Sequence, residues 1–143
     1  MINILIVEDT ATFRAILRHQ LVGIGYTNIW MAADGVEALA LLGGETRFDL
    51  ILCDWHMHPM DGLEFCSKVQ SVRSGVPVLF MTADPKLADP ERRARMLEPA
   101  KSLGIVDVLA KPFNIDELRT ALERSVATAT SAATSAAKTA RPS

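Results

Sequence analysis

Short apolar runs of strand length alternate along this chain with stretches whose apolar residues recur at helical spacing. Five such runs occur, at residues 4–7, 28–32, 50–53, 78–81 and 108–110. Between the first two runs, apolar residues recur at helical spacing. They are Phe13, Ile16, Leu17 and Leu21. Strands and helices in alternation predict βαβ units around a parallel sheet. We therefore predict an α/β fold, a doubly wound five-stranded parallel sheet with about five helices in a single domain.

Three sites combine an N-capping residue with a glutamate three positions later, an arrangement that satisfies free N–H groups at a helix start. They are Asp34 with Glu37, Asp61 with Glu64, and Asn114 with Glu117. Each predicts the first turn of a helix. Gly23 and Gly25 predict the end of the helix that carries Phe13.

The stretch from residue 84 to residue 103 departs from this rhythm. It contains Pro85, Pro90 and Pro99, and proline is tolerated in the first turn of a helix but interrupts a helix interior. We predict a long loop, a helix from about Pro90 to Glu98, and a break near Pro99.

The end of the chain has a different composition, since 14 of the 17 residues from 127 to 143 are Ala, Thr or Ser. Such a segment has no apolar stripe to bury against a core. We predict a domain over residues 1–126 and a disordered tail over residues 127–143.

Size, charge and cysteine content narrow the class of protein. A chain of 143 residues can form one domain with a sizeable core. A formal net charge of −2 argues against a general nucleic-acid binder, so we expect no direct DNA binding.

Cys53 and Cys66 lack the spacing of a metal or redox motif and are expected to be buried thiols, which favours a reducing, cytoplasmic compartment. The first apolar run soon reaches acidic residues and no run could span a bilayer, so we expect neither a signal peptide nor membrane insertion.

Polar side chains that suit phosphoryl transfer follow four of the five apolar runs. They are Glu8 and Asp9, then Asp54, Thr82 and Lys111. We expect these side chains to lie together, because the carboxyl ends of strands meet at one edge of a doubly wound sheet. Oxygen ligands suit Mg²⁺, and without a cation three neighbouring carboxylates would raise the pKa of at least one of them. The pattern predicts a Mg²⁺ site formed by the three acids and a backbone carbonyl from the loop after Asp54. The inventory also fits phosphorylation of an aspartate, with Lys111 and Thr82 binding the phosphoryl oxygens.

The same residues carry a family resemblance. Residues 4–9, 52–55, 60–62, 79–83 and 111–113 resemble, in order, the motifs of the receiver domain of two-component response regulators. The resemblance covers about residues 1–126 and implies a CheY-like, stand-alone domain with the flavodoxin-like strand order 2-1-3-4-5. It implies that Asp54 accepts a phosphoryl group from a sensor histidine kinase or a histidine phosphotransfer protein. It also implies that Thr82 is the switch hydroxyl and that the Lys111–Pro112 bond is cis.

Four features depart from the family pattern. Val108 stands three residues before the lysine, where the family often has an aromatic switch residue, so a rotamer switch of the usual form is not expected. Pro59 is shifted by one position relative to the proline of the family's Met-Pro-x-Met-Asp-Gly loop. The segment 82–104 is longer than the same segment usually is in the family. His56 flanks the phosphate; its backbone carbonyl is expected to ligate Mg²⁺ and its side chain to tune the access of hydrolytic water. An inert, solvent-facing His56 is one alternative, and a transition-metal site at His56 and His58 is another.

We expect a signalling switch and not an enzyme, with at most self-catalysed phosphorylation and dephosphorylation. Its output would pass to an unknown downstream protein or through onward phosphotransfer. A phosphate-independent pseudo-receiver is one alternative. A Mg²⁺-dependent phosphatase of the haloacid dehalogenase type is another, but it needs an acid two residues after its nucleophile, where this chain has His56 or Ala11. A fragment of a longer regulator also stays open, because the Ala/Thr/Ser tail resembles a linker.

Overall fold

Five parallel strands form one sheet in the computed structural model of the protein, which describes residues 2–73 and 75–139. The strands are β1 (Asn3–Val7), β2 (Asn28–Ala32), β3 (Leu50–Asp54), β4 (Val78–Thr82) and β5 (Ile105–Ala110). Their order across the sheet is β2-β1-β3-β4-β5, and each neighbouring pair is parallel. This confirms the predicted fold and strand order. The chain changes direction across the sheet between β1 and β3, which is where ligands bind in such folds.

In the described part of the chain, five α-helices follow the strands and pack on both faces of the sheet. They are α1 (Ala11–Ile24), α2 (Gly35–Leu42), α3 (Gly62–Val72), α4 (Pro90–Ala100) and α5 (Ile115–Thr139). The predicted caps form, since backbone N–H groups donate to the side chains of Asp34, Asp61 and Asn114 at 2.8, 2.9 and 2.8 Å. The first helix ends at Ile24 and is capped by Gly25, as predicted, with a positive φ of 122° that favours glycine, whereas Gly23 lies inside the helix.

Alternating side chains along the strands build two cores, one on each face of the sheet. The core against α2 and α3 includes Leu5, Val7, Ile51, Cys53, Phe65, Cys66 and Phe80. The core against α1 and α5 includes Ile4, Ile6, Leu17, Leu21, Leu52, Leu79, Leu118 and Leu122. Both cysteines are free and buried, as predicted. Burial raises the pKa of the Cys66 thiol to about 12 and also raises that of Cys53, so both stay protonated as packing groups.

The proline-containing segment is more regular than predicted. A 3₁₀ turn at Pro85–Ala88 occupies part of the expected loop, and its first turn is capped by Asp84, which accepts from the Lys86 N–H at 3.0 Å. The helix α4 begins at Pro90, as predicted, but continues to Ala100 and passes directly into a second 3₁₀ turn at Lys101–Leu103. The expected break near Pro99 is thus a change of helix type after that proline.

The last helix is longer than the domain boundary predicts. It runs to Thr139, whereas the sequence predicts disorder from residue 127, and residues 140–143 of that tail lie outside the described residues. Alanine is the strongest helix former, and a helix already packed through Leu118 and Leu122 extends into an alanine-rich segment without a new nucleation step. The described backbone therefore differs from the predicted disorder over residues 127–139. Among the described residues, no helix is both long and apolar enough to cross a bilayer.

Candidate phosphoryl-transfer site

The carboxyl ends of four strands bring the predicted polar residues to one edge of the sheet. Val7 of β1 pairs with Cys53 of β3, so Glu8 and Asp54, the next residue along each strand, are neighbours. On the other side, the register pairs Thr82 with the residue before Lys111. The predicted gathering of acids, hydroxyl and ammonium is therefore produced by register alone.

Three carboxylates form a compact acidic cluster at this edge. Oxygen atoms of Glu8, Asp9 and Asp54 all lie within 4.8 Å of one another. Glu8 and Asp54 are buried, with exposures of 1% and 8%, whereas Asp9 is exposed. The Glu8 side chain is fixed by the N–H of Thr10, which donates to its Oε1 at 3.2 Å. One exposed and two buried acids leave the cluster open to solvent on the Asp9 side.

Lys111 reaches into the same cluster from the end of β5. Its Nζ lies 3.2 Å from Glu8 Oε2 and 3.4 Å from Asp54 Oδ2, and its side chain is 18% exposed. The backbone N–H of Lys111 donates to the carbonyl of Thr82 at 2.6 Å, which anchors the lysine to β4. The Lys111–Pro112 bond is cis, as the resemblance implies. One ammonium thus bridges two buried carboxylates.

The charge balance of the site is acidic. Burial raises the pKa of Glu8 to about 6, the neighbouring Asp54 carboxylate acts in the same direction, and Lys111 offsets only part of the rise. This confirms that repulsion among the acids helps to raise at least one pKa. A hard divalent cation would relieve it, and three carboxylates within reach of one point are a donor set that suits Mg²⁺.

Thr82 lies fully buried beside this cluster, at the end of β4. Its Oγ1 accepts a hydrogen bond from the N–H of Asp84 at 3.1 Å. The hydroxyl therefore connects the sheet edge to the first residues of the segment that leads to α4. A displacement of Thr82 would act on that segment first.

The two histidines of the loop after β3 differ from the acids in their exposure. The N–H of His56 donates to Asp54 Oδ1 at 3.2 Å, and the side chains of His56 and His58 are exposed. Among the described residues, the group that could hold a metal ion consists of carboxylates and contains no histidine. The alternative of a transition-metal site at these histidines is therefore not supported. The His58–Pro59 bond is cis, a feature that the sequence pattern did not predict.

Two residues of α1 take part in the site although no sequence signal singled them out. Arg14 Nη1 donates to the backbone carbonyl of Glu8 at 2.6 Å. The Lys111 ammonium lies 4.2 Å from the centre of the Phe13 ring. Phe13 and Arg14 lie on α1, a few residues after Asp9. This proximity in sequence to a predicted metal ligand is the signal that could have indicated them.

Val108 is buried in the core against α2 and α3, as its apolar character predicts. Its carbonyl accepts from Arg93 Nη1 of α4 at 3.4 Å. The position where the family often has an aromatic residue thus connects β5 to α4 through an arginine.

The order of the strands and the polar groups at their carboxyl edge define a CheY-like signalling domain. The chain belongs to the response regulator receiver domain family, whose sequence pattern matches residues 4–123. Members of this family act as phosphoacceptors in two-component signalling, so this chain is a receiver domain.

Related proteins support this assignment. The Regulator of RpoS from Escherichia coli K12 is 41% identical over 118 residues, which are 82% of this chain but 32% of that protein, so the chain spans about a third of its length. The chemotaxis protein CheY4 of Vibrio cholerae has a similar structure, with a TM-score of 0.72 and 35% identity over 87% of this chain and 98% of its own. The receiver domain of the sensor histidine kinase PA1611 from Pseudomonas aeruginosa has a TM-score of 0.70 and 28% identity over 87% of this chain and 97% of its own. That structure has a magnesium ion coordinated in its active-site cleft.

Proposed function

We propose that this domain is a phosphorylation switch whose acceptor is Asp54. The observation that carries the proposal is the position of the Asp54 carboxylate, which lies 3.4 Å from the Lys111 ammonium and within 4.8 Å of oxygens of two further acids. A carboxylate so placed can attack phosphorus while neighbouring positive charge balances the charge of the phosphoryl oxygens.

The phosphoryl donor in this proposal is a phosphohistidine of a sensor histidine kinase or of a histidine phosphotransfer protein. A carboxylate oxygen of Asp54 forms a new bond to phosphorus while the bond between phosphorus and the histidine nitrogen breaks. The electron pair of that bond returns to the imidazole ring. Asp54 becomes an acyl phosphate, which water later hydrolyses to restore the carboxylate and release inorganic phosphate.

The residues that would hold Mg²⁺ are the carboxylates of Glu8, Asp9 and Asp54 together with the backbone carbonyl of His56. When bound, the ion would neutralise charge on the transferring phosphoryl group. Lys111 would pair with one phosphoryl oxygen and Thr82 would donate its hydroxyl proton to another. The exposed side chain of His56, two residues after the acceptor, would tune the access of hydrolytic water.

The output of the switch in this proposal is a contact with a downstream protein or onward phosphotransfer. The formal net charge of −2 favours protein partners over direct DNA binding. We place the switch in the cytoplasm, where two free buried thiols are stable.

Incubation with acetyl phosphate and Mg²⁺, followed by intact-mass measurement, tests the proposal. In this reaction, the bond between phosphorus and the bridging oxygen of acetyl phosphate breaks, and acetate is the leaving group. We expect the addition of one phosphoryl group that disappears in Asp54→Ala and in excess chelator. Asp116→Ala, which removes an exposed carboxylate on α5, is the matched control and should be modified like wild type. A wild-type chain that stays unmodified would contradict the assignment and favour a pseudo-receiver, whereas a modification that survives Asp54→Ala would show that another residue is the acceptor.

A further inference from the structure

The ammonium of Lys111 has an aromatic face on one side and carboxylates on the other. Its Nζ lies 4.2 Å from the centre of the Phe13 ring, while Glu8 Oε2 and Asp54 Oδ2 lie 3.2 and 3.4 Å away. A cation within about 6 Å of a ring centre is attracted by the negative face of the ring. The lysine is therefore held by three contacts from two different parts of the fold, α1 and the edge of the sheet.

A second ring supports the first. Phe113 meets Phe13 edge to face, with ring centres 6.0 Å apart and an interplanar angle of 83°. Aromatic pairs prefer this arrangement. Phe113 stands two residues after Lys111, so the turn that carries the lysine also carries the ring that fixes its aromatic neighbour.

We propose that Phe13 is a positioning residue for phosphoryl transfer, which acts by holding the ammonium of Lys111 at the acceptor and by excluding water from it. This inference rests on the proposed function of Asp54 and Lys111. When a phosphoryl group arrives on Asp54, the lysine must turn toward a phosphoryl oxygen. A ring face on its other side limits the positions that it can take and lowers the local dielectric, which strengthens its attraction for the phosphoryl charge.

The Phe13 contact predicts a specific pattern among variants. Phe13→Leu removes the ring face but keeps an apolar side chain, and phosphorylation by acetyl phosphate at saturating Mg²⁺ should become about three- to tenfold slower. Phe13→Trp restores a ring face and should recover most of the rate. Phe113→Leu removes only the supporting ring and should have a smaller effect. Phe48→Leu is the matched control and should leave the rate unchanged. It also breaks an edge-to-face aromatic pair, that of Phe48 with Trp30, but this pair does not contact the lysine.

Two further measurements separate positioning from a general structural effect. The affinity for Mg²⁺, measured by calorimetry, should change little in Phe13→Leu, since the lysine is not a metal ligand, whereas damage to the start of α1 would weaken it through Asp9. In NMR spectra, the εCH₂ protons of Lys111 should be shifted upfield by the Phe13 ring. That shift should be lost in Phe13→Leu and kept in Phe13→Trp. Phe13→Met serves for the same measurements if the leucine variant does not fold.

The outcomes distinguish this inference from the function on which it rests. If wild type is phosphorylated and Phe13→Leu reacts at the same rate, or if the lysine protons are not shifted by the ring, the positioning role is overturned. A parallel loss of Mg²⁺ affinity and rate also overturns it. If wild type acquires no phosphoryl group at all, the proposed function itself fails.

Discussion

Glu8 is the residue at which burial and charge oppose each other most directly. It is 1% exposed and its pKa is raised from 4.5 to about 6, first by burial and then by the Asp54 carboxylate. In the metal-free protein, the folded state therefore holds the Glu8 proton more tightly than the unfolded chain does. Between these two pKa values, the free energy of unfolding falls as pH rises.

The first prediction concerns Glu8→Gln in metal-free buffer. The glutamine side chain cannot ionise, so the free energy of unfolding of the variant does not fall in this pH range. At low pH, glutamine resembles the protonated glutamate of the wild type. We expect similar stabilities well below the lower pKa and a variant more stable by up to about 2 kcal/mol above the upper one. Denaturant unfolding at several pH values, with chelator present, measures this difference.

Glu123→Gln, at an exposed position of α5, is the control and should leave the pH dependence of wild type unchanged. A Glu8→Gln variant whose advantage over wild type does not grow with pH would show that the Glu8 carboxylate is not destabilised by its surroundings.

At the scale of elements, the segment from residue 83 to residue 103 contains α4 and begins beside the site. Of α4, Arg92, Ala94 and Arg95 are exposed. Its described anchors to the sheet include Arg93, which donates to the Val108 carbonyl, and the partly buried Leu97. The segment is also connected to the site, because the Asp84 N–H donates to the Thr82 hydroxyl. The segment contains three prolines, which lack a backbone N–H to donate, so we expect a low local stability that a small displacement can bias.

The second prediction is that phosphorylation changes amide hydrogen exchange most in residues 83–103 and less around Val108. The physical reason is that movement of Thr82 toward a phosphoryl oxygen alters its hydrogen bond with Asp84. Exchange measured with and without acetyl phosphate and Mg²⁺ tests this. Asp54→Asn, which has no acceptor carboxylate, should show no change in either region.

The arginine contact offers a test within the same segment. Arg93→Ala should destabilise the protein by about 1 kcal/mol and speed exchange in α4, whereas Arg95→Ala, at an exposed position, should stay within about 0.5 kcal/mol of wild type. Equal effects of the two substitutions would show that the contact with Val108 does not hold α4 on the sheet.

The third prediction concerns α5, whose described packing into the core ends near Ser125, which is buried and donates to the Ala121 carbonyl at 2.8 Å. A chain that ends near residue 127 keeps Leu118 and Leu122 and loses only the Ala/Thr/Ser-rich part. We expect its melting temperature to stay within a few degrees of the full chain, and its phosphorylation by acetyl phosphate to be unchanged. A large loss of stability would show that residues 128–139 pack against the domain.

For the whole molecule, the acidic cluster joins the ends of strands that are otherwise held together by backbone pairing and hydrophobic packing. Glu8 and Asp9 follow β1, and Asp54 ends β3, so an ion bound by all three cross-links the switch point of the sheet. A ligand that binds only the folded state stabilises it in proportion to the logarithm of its concentration, once that concentration exceeds its Kd.

The fourth prediction is that Mg²⁺ raises the free energy of unfolding, by about 2.7 kcal/mol at a concentration one hundred times its Kd. Asp9→Asn removes an exposed ligand and should abolish most of this effect, because the other acids lie deeper. Thermal unfolding over a series of Mg²⁺ concentrations measures it. Asp116→Asn, which alters an exposed ion pair with Arg119, is the control, and Mg²⁺ should stabilise it as much as wild type. A wild-type protein whose free energy of unfolding does not change with Mg²⁺ would contradict the metal site.

The features that the sequence predicted are those that depend on nearby residues or on an exact repeat. A capping residue and its glutamate lie three positions apart, so Asp34, Asp61 and Asn114 indicated helix starts without any knowledge of the fold. The period of two along a strand decides which face each side chain takes, and the carboxyl ends of parallel strands must share an edge. The gathering of the acids, the hydroxyl and the ammonium follows from those rules.

What the tertiary structure decided depends on distances between parts of the chain that are far apart in sequence. The sequence indicated that at least one of three acids would have a raised pKa, but only the burial of Glu8 in the folded chain identified it as such a residue. The ring of Phe13, near the start of the chain, faces Lys111, which is far from it in sequence, and that contact depends on how α1 packs beside the end of β5. Packing geometry of this kind arises from the sum of many weak contacts, and no short pattern of residues encodes it.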